Sequence, residues 1–314
     1  ARISLKTGKN YLKERGAIDI QAMQQALPSD SVYINISKNK NDLFVWLFDK
    51  TSRRALVIEK GYEELADFNN KFNPALIKRS EAAAASSQLY NILASVIKTA
   101  ENKKNIIFSL DEFIEKTPLD IAGEKSALAE KSRIFYMVSP MLTDFSRKNE
   151  KPLLNTAGKA DSITAELEIT GIKLSGIKKG SAKRINDGIA HITGDMRYNR
   201  KSKGFTIDSR AYSSMIKGAD IVYTAVPYAD FGLNNLAAFI HNSGTASAVL
   251  NGASRQDVNN ALFAEYFYRE ISNGTSSAEA FTIARKKIMN NDRFTAPGYW
   301  AGTRYYINSF NFND

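Results

Sequence analysis

Asp220-Ile-Val-Tyr-Thr-Ala225, Asn234–Ser243 and Ala246-Ser-Ala-Val-Leu250 read in turn as strand, helix and strand, and this unit decides the fold. The apolar runs are short, a length that suits strands covered on both faces. Gly188-Ile-Ala-His-Ile-Thr193 supplies a further strand before the unit. Helices from about Val258 to Ser272 and from Ser277 to Met289 follow it, the first stopped by Asn273-Gly274. Pro297-Gly298 then introduces a last apolar stretch, Tyr299–Ile307. Shorter helices are expected within 162–172, over 181–187 and over Ser209–Lys217. Strands alternating with helices at this spacing imply a mostly parallel sheet with helices on both faces, a three-layer α/β/α fold.

Toward the N-terminus, Asn105-Ile-Ile-Phe-Ser-Leu110 and Ile134-Phe-Tyr-Met-Val138 are two more apolar strands. Residues 62–100 hold two helices broken near Asn73-Pro74, the second with Leu89, Ile92, Leu93 and Val96 on one face. Farther out the pattern changes. Ser31–Ser37 and Asp42–Phe48 flank the polar turn Lys38-Asn-Lys-Asn41 and read as a hairpin, with a third strand at Arg54–Ile58. These strands are expected to extend or flank the main sheet as an antiparallel addition. Trp46 reads as core of the hairpin and Trp300 as an anchor for the final strand. Residues 1–30 form a helical lead-in ending at Leu27-Pro28. Residues 31–314 form one domain of two halves, 31–150 and 151–314.

The chain has 314 residues, 43% of them hydrophobic, enough for a sizeable core without staples. No apolar run reaches the roughly 18 residues of a membrane span. Cysteine is absent, which excludes disulfides, thiolate metal sites and a cysteine nucleophile. The two histidines, His191 and His241, rule out a three-histidine zinc site, and neither lies in a HExxH helix. No metal and no cofactor are implied. Zero cysteine leaves cytoplasmic, periplasmic and secreted placements open. The net charge is +10, and a basic surface attracts nucleic acid, anionic lipid or acidic proteins. Between Gly171 and Phe205 nine basic residues, among them Lys178, Lys179, Lys183, Arg184, Arg197, Arg200 and Lys201, stand against two acidic ones. Only Tyr198 and Phe205 interleave, thin for single-strand binding. The run reads first as a solvated loop and helix face, second as an anion-binding patch.

Several segments carry a family resemblance. Ile106–Ala122 runs from a strand through a turn into a proline-plus-apolar helix start. Ala129–Pro140 ends a strand in a Ser-Pro pair. Ile163–Gly171 carries a helix with Glu166. Phe263–Gly274, Ser277–Arg285 and Tyr299-Trp-Ala-Gly302 close the chain. In this order and spacing they resemble the CHAT domain, a caspase-like family of the caspase and separase clan often found behind tetratricopeptide repeats. The resemblance runs from about residue 30 to residue 308 and implies a caspase-like fold, with a tetratricopeptide-repeat region as a candidate upstream neighbour.

The family's peptide hydrolysis uses a thiolate to attack the carbonyl and an imidazole to protonate the leaving amine. Both sit on loops at the C-terminal ends of adjacent parallel strands. Ile189-Ala-His-Ile-Thr-Gly-Asp-Met196 resembles the histidine strand, but its catalytic position falls on Asp195 and only the first histidine, His191, is kept. Asp220-Ile-Val-Tyr-Thr-Ala-Val-Pro227 resembles the cysteine strand, with Val226 at the nucleophile and Pro227 after it. The resemblance therefore implies a degenerate member lacking both catalytic groups, whose cleft would contain His191, Asp195, Thr224, Val226 and Pro227.

Plainer readings stand beside these. His191 suits a satisfied core histidine, His241 a helix end, and Asp195 a surface partner of Arg197 or Lys201. The leading function is a catalytically inactive pseudopeptidase acting as a protein- or peptide-binding or regulatory module. A second is a hydrolase with a non-cysteine nucleophile in the same cleft, Thr224 with His191 as the nearby base. A third is binding of nucleic acid or anionic surfaces through 171–205.

Overall fold

β4 (Asn105–Leu110) is buried at every position, because it has a neighbouring strand on each side and apolar cover over each face. The computed structural model describes residues 20–72, 77–124, 126–138, 154–157, 178–179, 189–192, 196–199, 204–207, 210–211, 216, 219–224, 232–251 and 257–310. On one side of β4 lie β1 (Ser31–Asn39), β2 (Asp42–Asp49) and β3 (Arg53–Ile58). On the other lie β5 (Arg133–Tyr136), β14 (Thr303–Ile307), β13 (Ser247–Asn251), β12 (Ile221–Thr224), β8 (Ile189–Ile192), β6 (Leu154–Ala157) and β7 (Lys178–Lys179). Together they make an 11-stranded sheet in the order β3-β2-β1-β4-β5-β14-β13-β12-β8-β6-β7.

The sheet is mostly parallel, in two runs of opposite direction. β1, β4, β5 and β14 are parallel. β13, β12, β8, β6 and β7 are also parallel to one another. The runs meet at the antiparallel β13–β14 pair. β2 and β3 add antiparallel to the outer side of β1, so the N-terminal strands extend the main sheet as the hairpin pattern implies. The turn is tighter than the polar run suggests: Lys38 and Asn39 still pair with Leu43 and Asp42, and Lys40 takes a left-handed φ of 57°.

Helices cover both faces. α1 (Ile20–Ala26) is pinned over β2 by Gln24, whose Nε2 donates to the Asp49 and Ser52 carbonyls at 2.8 and 3.1 Å. On the opposite face α2 (Gly61–Lys71) begins against Leu43 and Ile58 and packs with α3 (Ala82–Ala100). A short α4 (Leu128–Lys131) leads into β5. In the second half α5 (Leu233–Asn242), α6 (Asp257–Ser272) and α7 (Ser277–Met289) divide between the faces. Tyr223 meets Phe267 and Tyr268 of α6, and Tyr305 meets Phe281 of α7. Tyr306 projects the other way and donates to Asn234 Oδ1 of α5 at 3.1 Å. Trp300 is buried beside the final strand, as its sequence position implies.

Two expectations are corrected. Ser209–Lys217 is not helical at its start: β11 (Arg210–Ala211) pairs with β10 (Gly204–Ile207), which pairs with β9 (Met196–Asn199) in a separate three-stranded antiparallel sheet. Pairing of Thr206 with Ala211 and of Ile207 with Arg210 supplies cross-strand bonds that override local helical preference. Trp46 is not core but 54% exposed. Both alternating sets of β2 are apolar, and Leu43, Val45 and Leu47 take the interior, leaving Phe44 and Trp46 on the other face. The expected helices within 162–172 and over 181–187, and residues 1–19 of the lead-in, lie outside the described residues.

Candidate functional site

β8 and β12 are parallel neighbours, with Ile189 opposite Ile221 and Ile192 opposite Thr224. Their C-terminal ends therefore share one edge of the sheet, the arrangement a two-residue catalytic site on adjoining loops requires. The positions that follow them, Asp195, Val226 and Pro227, lie outside the described residues. So do Lys183, Arg184, Arg200 and Lys201 of the basic run. Lys178 and Lys179 form β7, and Arg197 lies in β9 opposite Thr206.

His191 is 1% exposed. Its ring stacks on Tyr223, centroids 4.8 Å apart and planes 11° from parallel. Its Nδ1 hydrogen-bonds the Tyr268 hydroxyl. Thr224 is also 1% exposed. The register places Tyr223 opposite His191, so alternation turns Thr224 to the other face of the sheet. An imidazole and a hydroxyl separated by the sheet cannot share a proton, which removes the Thr224–His191 nucleophile–base pair. His241 closes the last turn of α5, where its Nδ1–H donates to the Thr245 carbonyl at 3.0 Å. Both histidines are thus built into the fold. Among the described residues, no cluster of three His, Asp or Glu side chains could hold a metal ion, and no helix is long and apolar enough to cross a membrane.

The charged groups that organise the centre of the molecule escaped sequence reasoning. The segment after β4 folds back over the sheet face that carries Tyr136 and Arg304. Arg304 donates to the Glu115 carbonyl, and to the Thr117 carbonyl at 3.0 Å. Asp120 is fully buried, accepts from the Tyr136 hydroxyl, and lies 3.1 Å from Arg285 Nη1 of α7. Burial, then the Asp120 charge, pushes the Tyr136 phenol well above its ordinary value. Burial also raises the Glu115 carboxyl, although the Asn234 N–H and the Arg304 charge oppose it. The available signal was an arginine that ends one apolar run, Phe281-Thr-Ile-Ala-Arg285, and another inside a second, Thr303-Arg-Tyr-Tyr-Ile307. A buried charge demands a partner.

Comparison with known proteins agrees with this architecture. Residues 224–308 match the family model for the CHAT domain. No curated protein matches the chain. The fold is similar to that of a chain in two crystal structures of the Saccharomyces cerevisiae separase–securin complex, at 3.0 and 2.6 Å resolution. In each the TM-score is 0.53 at 8% identity, covering 97% of this chain and 31% of that one. At that identity the likeness is one of fold, and this chain spans about a third of the length of its structural relative.

Proposed function

We propose that this chain, which carries the CHAT pattern over residues 224–308 on a separase-like fold, is a catalytically inactive caspase-like module that binds a protein or peptide segment. The observation that carries the reading is the pairing of that fold with a complete lack of cysteine. A caspase-like site works through a thiolate, and no residue of this chain can become one. Val226 has no nucleophilic atom, and an ionised Asp195 only accepts hydrogen bonds, so it cannot protonate a leaving amine. Cleft recognition is a separate matter: an extended segment is held by backbone pairing and side-chain pockets, neither of which needs a nucleophile. Asp195, Thr224, Val226 and Pro227 would then line or shape the cleft as binding residues, and His191 would support its floor. Securin stands with separase in the relative's crystals, and an extended protein segment is the kind of partner proposed here.

The test has two arms. The purified chain is incubated with a mixture of peptides cleavable after Arg, Lys and Asp, and the same mixture is passed over the immobilised chain. We expect no cleavage, no labelling by thiol-directed inhibitors, and retention of a subset of peptides. Chain-dependent cleavage that survives removal of contaminating proteases would overturn the reading. A salt titration separates the basic run: affinity that collapses as salt rises would assign the retained partner to phosphate-like charge on 171–205.

A further inference from the structure

A cavity of about 430 Å³ opens beside the ends of β1 and β4. Because the two parallel runs point opposite ways, this is the edge of the sheet away from the C-terminal ends of β8 and β12. The cavity follows from one mismatch in cover. β1 sends Tyr33, Asn35 and Ser37 to the face, and β2 sets Phe48 opposite Tyr33 and Trp46 opposite Asn35. α1 has seven residues and is tied by Gln24 to the Asp49–Ser52 end of the hairpin. It roofs Tyr33 and Phe48 and leaves Trp46 open over the hollow. The volume falls in the range of sites that enclose a small ligand, about 300–1,000 Å³.

Three side chains with acceptor oxygens, Asn35, Ser37 and Asp111, stand together at one end of the lining. Asn35 donates one Nδ2 hydrogen to the Ser109 carbonyl at 3.1 Å, and its Oδ1 is an acceptor. Ser37 donates to the Phe44 carbonyl at 3.4 Å, leaving its oxygen to accept. Asp111 takes the Phe113 N–H on Oδ1 at 3.1 Å and has a second carboxylate oxygen. Arg53, the cation of the lining, stands opposite Phe48 at the far corner with its Nε donated to Gln24 Oε1. Lys38 alternates to the other face, its ammonium 3.6 Å from the Tyr62 ring centroid. A carboxylate, two neutral acceptors and an open indole face together select a cationic donor on an apolar body.

We propose that this cavity is a binding site for a small arylalkyl primary amine. The ring lies against Trp46, Tyr33 and Phe48, and the ammonium donates to Asp111, Asn35 and Ser37. The site is independent of the degenerate cleft, so neither reading depends on the other.

The test titrates the intact chain with phenethylamine by calorimetry and follows tryptophan emission in parallel. Phenylacetate, the same ring with the opposite charge, and Phe-Gly-Gly amide are the comparison ligands. Phenethylamine should saturate one site and change the emission of exposed Trp46, not of buried Trp300. Trp46→Phe should abolish the emission change while calorimetric binding persists. Asp111→Asn keeps the acceptor for the Phe113 N–H and should weaken binding about tenfold or more. No saturation, equal binding of phenylacetate, or an unaffected Asp111→Asn variant would each overturn the proposal. Tighter binding of Phe-Gly-Gly amide would reassign the cavity to peptide N-termini.

Discussion

Glu115 reaches across the fold to cap the helix that starts beside Gly232. Its Oε2 accepts the Asn234 N–H of α5 at 3.0 Å, so a carboxylate meets the positive end of the helix dipole. Gly232 makes the approach possible twice over. Its φ of 72° suits glycine, and a Cβ there would overlap Glu115 Oε1. Asn234 adds a second tie, donating its Nδ2 to the Leu110 carbonyl at 2.7 Å.

Gly232→Ala should therefore destabilise the chain by about 2 kcal/mol or more, from left-handed strain and displacement of the carboxylate together. Glu115→Gln, which keeps an acceptor oxygen and removes the charge, should cost less. Denaturant unfolding of the two variants checks the order, and equal losses would show that the close approach at Gly232 is not what matters.

The same carboxylate sets a pH dependence. Burial raises Glu115 above its ordinary value in the folded state. A raised acid holds its proton longer folded than unfolded, so its contribution is fully present below the unfolded pKa, about 4.3. It is lost as pH climbs through the folded value. The stability of Glu115→Gln relative to the parent should thus rise with pH across that window and level off above it. Unfolding midpoints measured from acid to neutral pH would show a flat difference if burial were not the dominant influence.

Asp120 and Arg285 form a fully desolvated pair. Removing one partner leaves a buried charge uncompensated, so Asp120→Ala should cost about 3–5 kcal/mol. Asp120→Leu combined with Arg285→Met removes both charges and should recover part of that loss. A double-mutant cycle measures the coupling, and additive losses would mean that the pair contributes nothing beyond its packing.

The fold was legible where the pattern had one interpretation. β4, β12 and β13 are short apolar runs between polar connections, and α7 begins and ends at the expected Ser277 and Met289. Legibility failed where two faces looked alike. Phe44 and Trp46 compete with Leu43, Val45 and Leu47 for the interior of β2, and only the helix over each face decides between them. It failed again where pairing partners are distant. Nothing near Glu115 announces Asn234, 119 residues on, and nothing near Arg197 announces the β9–β10 hairpin. Adjacency of the His191 and Thr224 strands was readable from their order, but the facing of the two side chains needed the register.

β1 pairs with β4 over six consecutive residues, and α1 and α2 cover the two faces of the extension that β1 begins. A chain beginning at Asn105 would bare one edge of β4, a strand buried throughout. An apolar edge with unpaired N–H and C=O groups recruits other chains. We expect that truncation to aggregate. Light scattering and thermal unfolding provide the check, and a soluble monomer that unfolds cooperatively would show that the second part folds alone.

Restoring the family's side chains tests whether the lost chemistry is only a matter of two residues. Val226→Cys with Asp195→His would place a thiol and an imidazole after β12 and β8, strands that end side by side at Thr224 and Ile192. Enzymes lower reaction barriers by about 8–23 kcal/mol, and about 7–11 kcal/mol can come from holding the reacting groups in alignment. Pro227 follows the new cysteine and fixes its own φ, while Met196 follows the new histidine, so the loops keep the parent's sequence around both. A displacement of about 1 Å from the productive geometry costs roughly a hundredfold in rate. We therefore expect the double variant to bind thiol reagents through its one cysteine yet cleave peptides barely above background. Peptidase turnover that appears only when both substitutions are present, and disappears on alkylation, would show instead that the ends of β8 and β12 have kept the spacing of an active site.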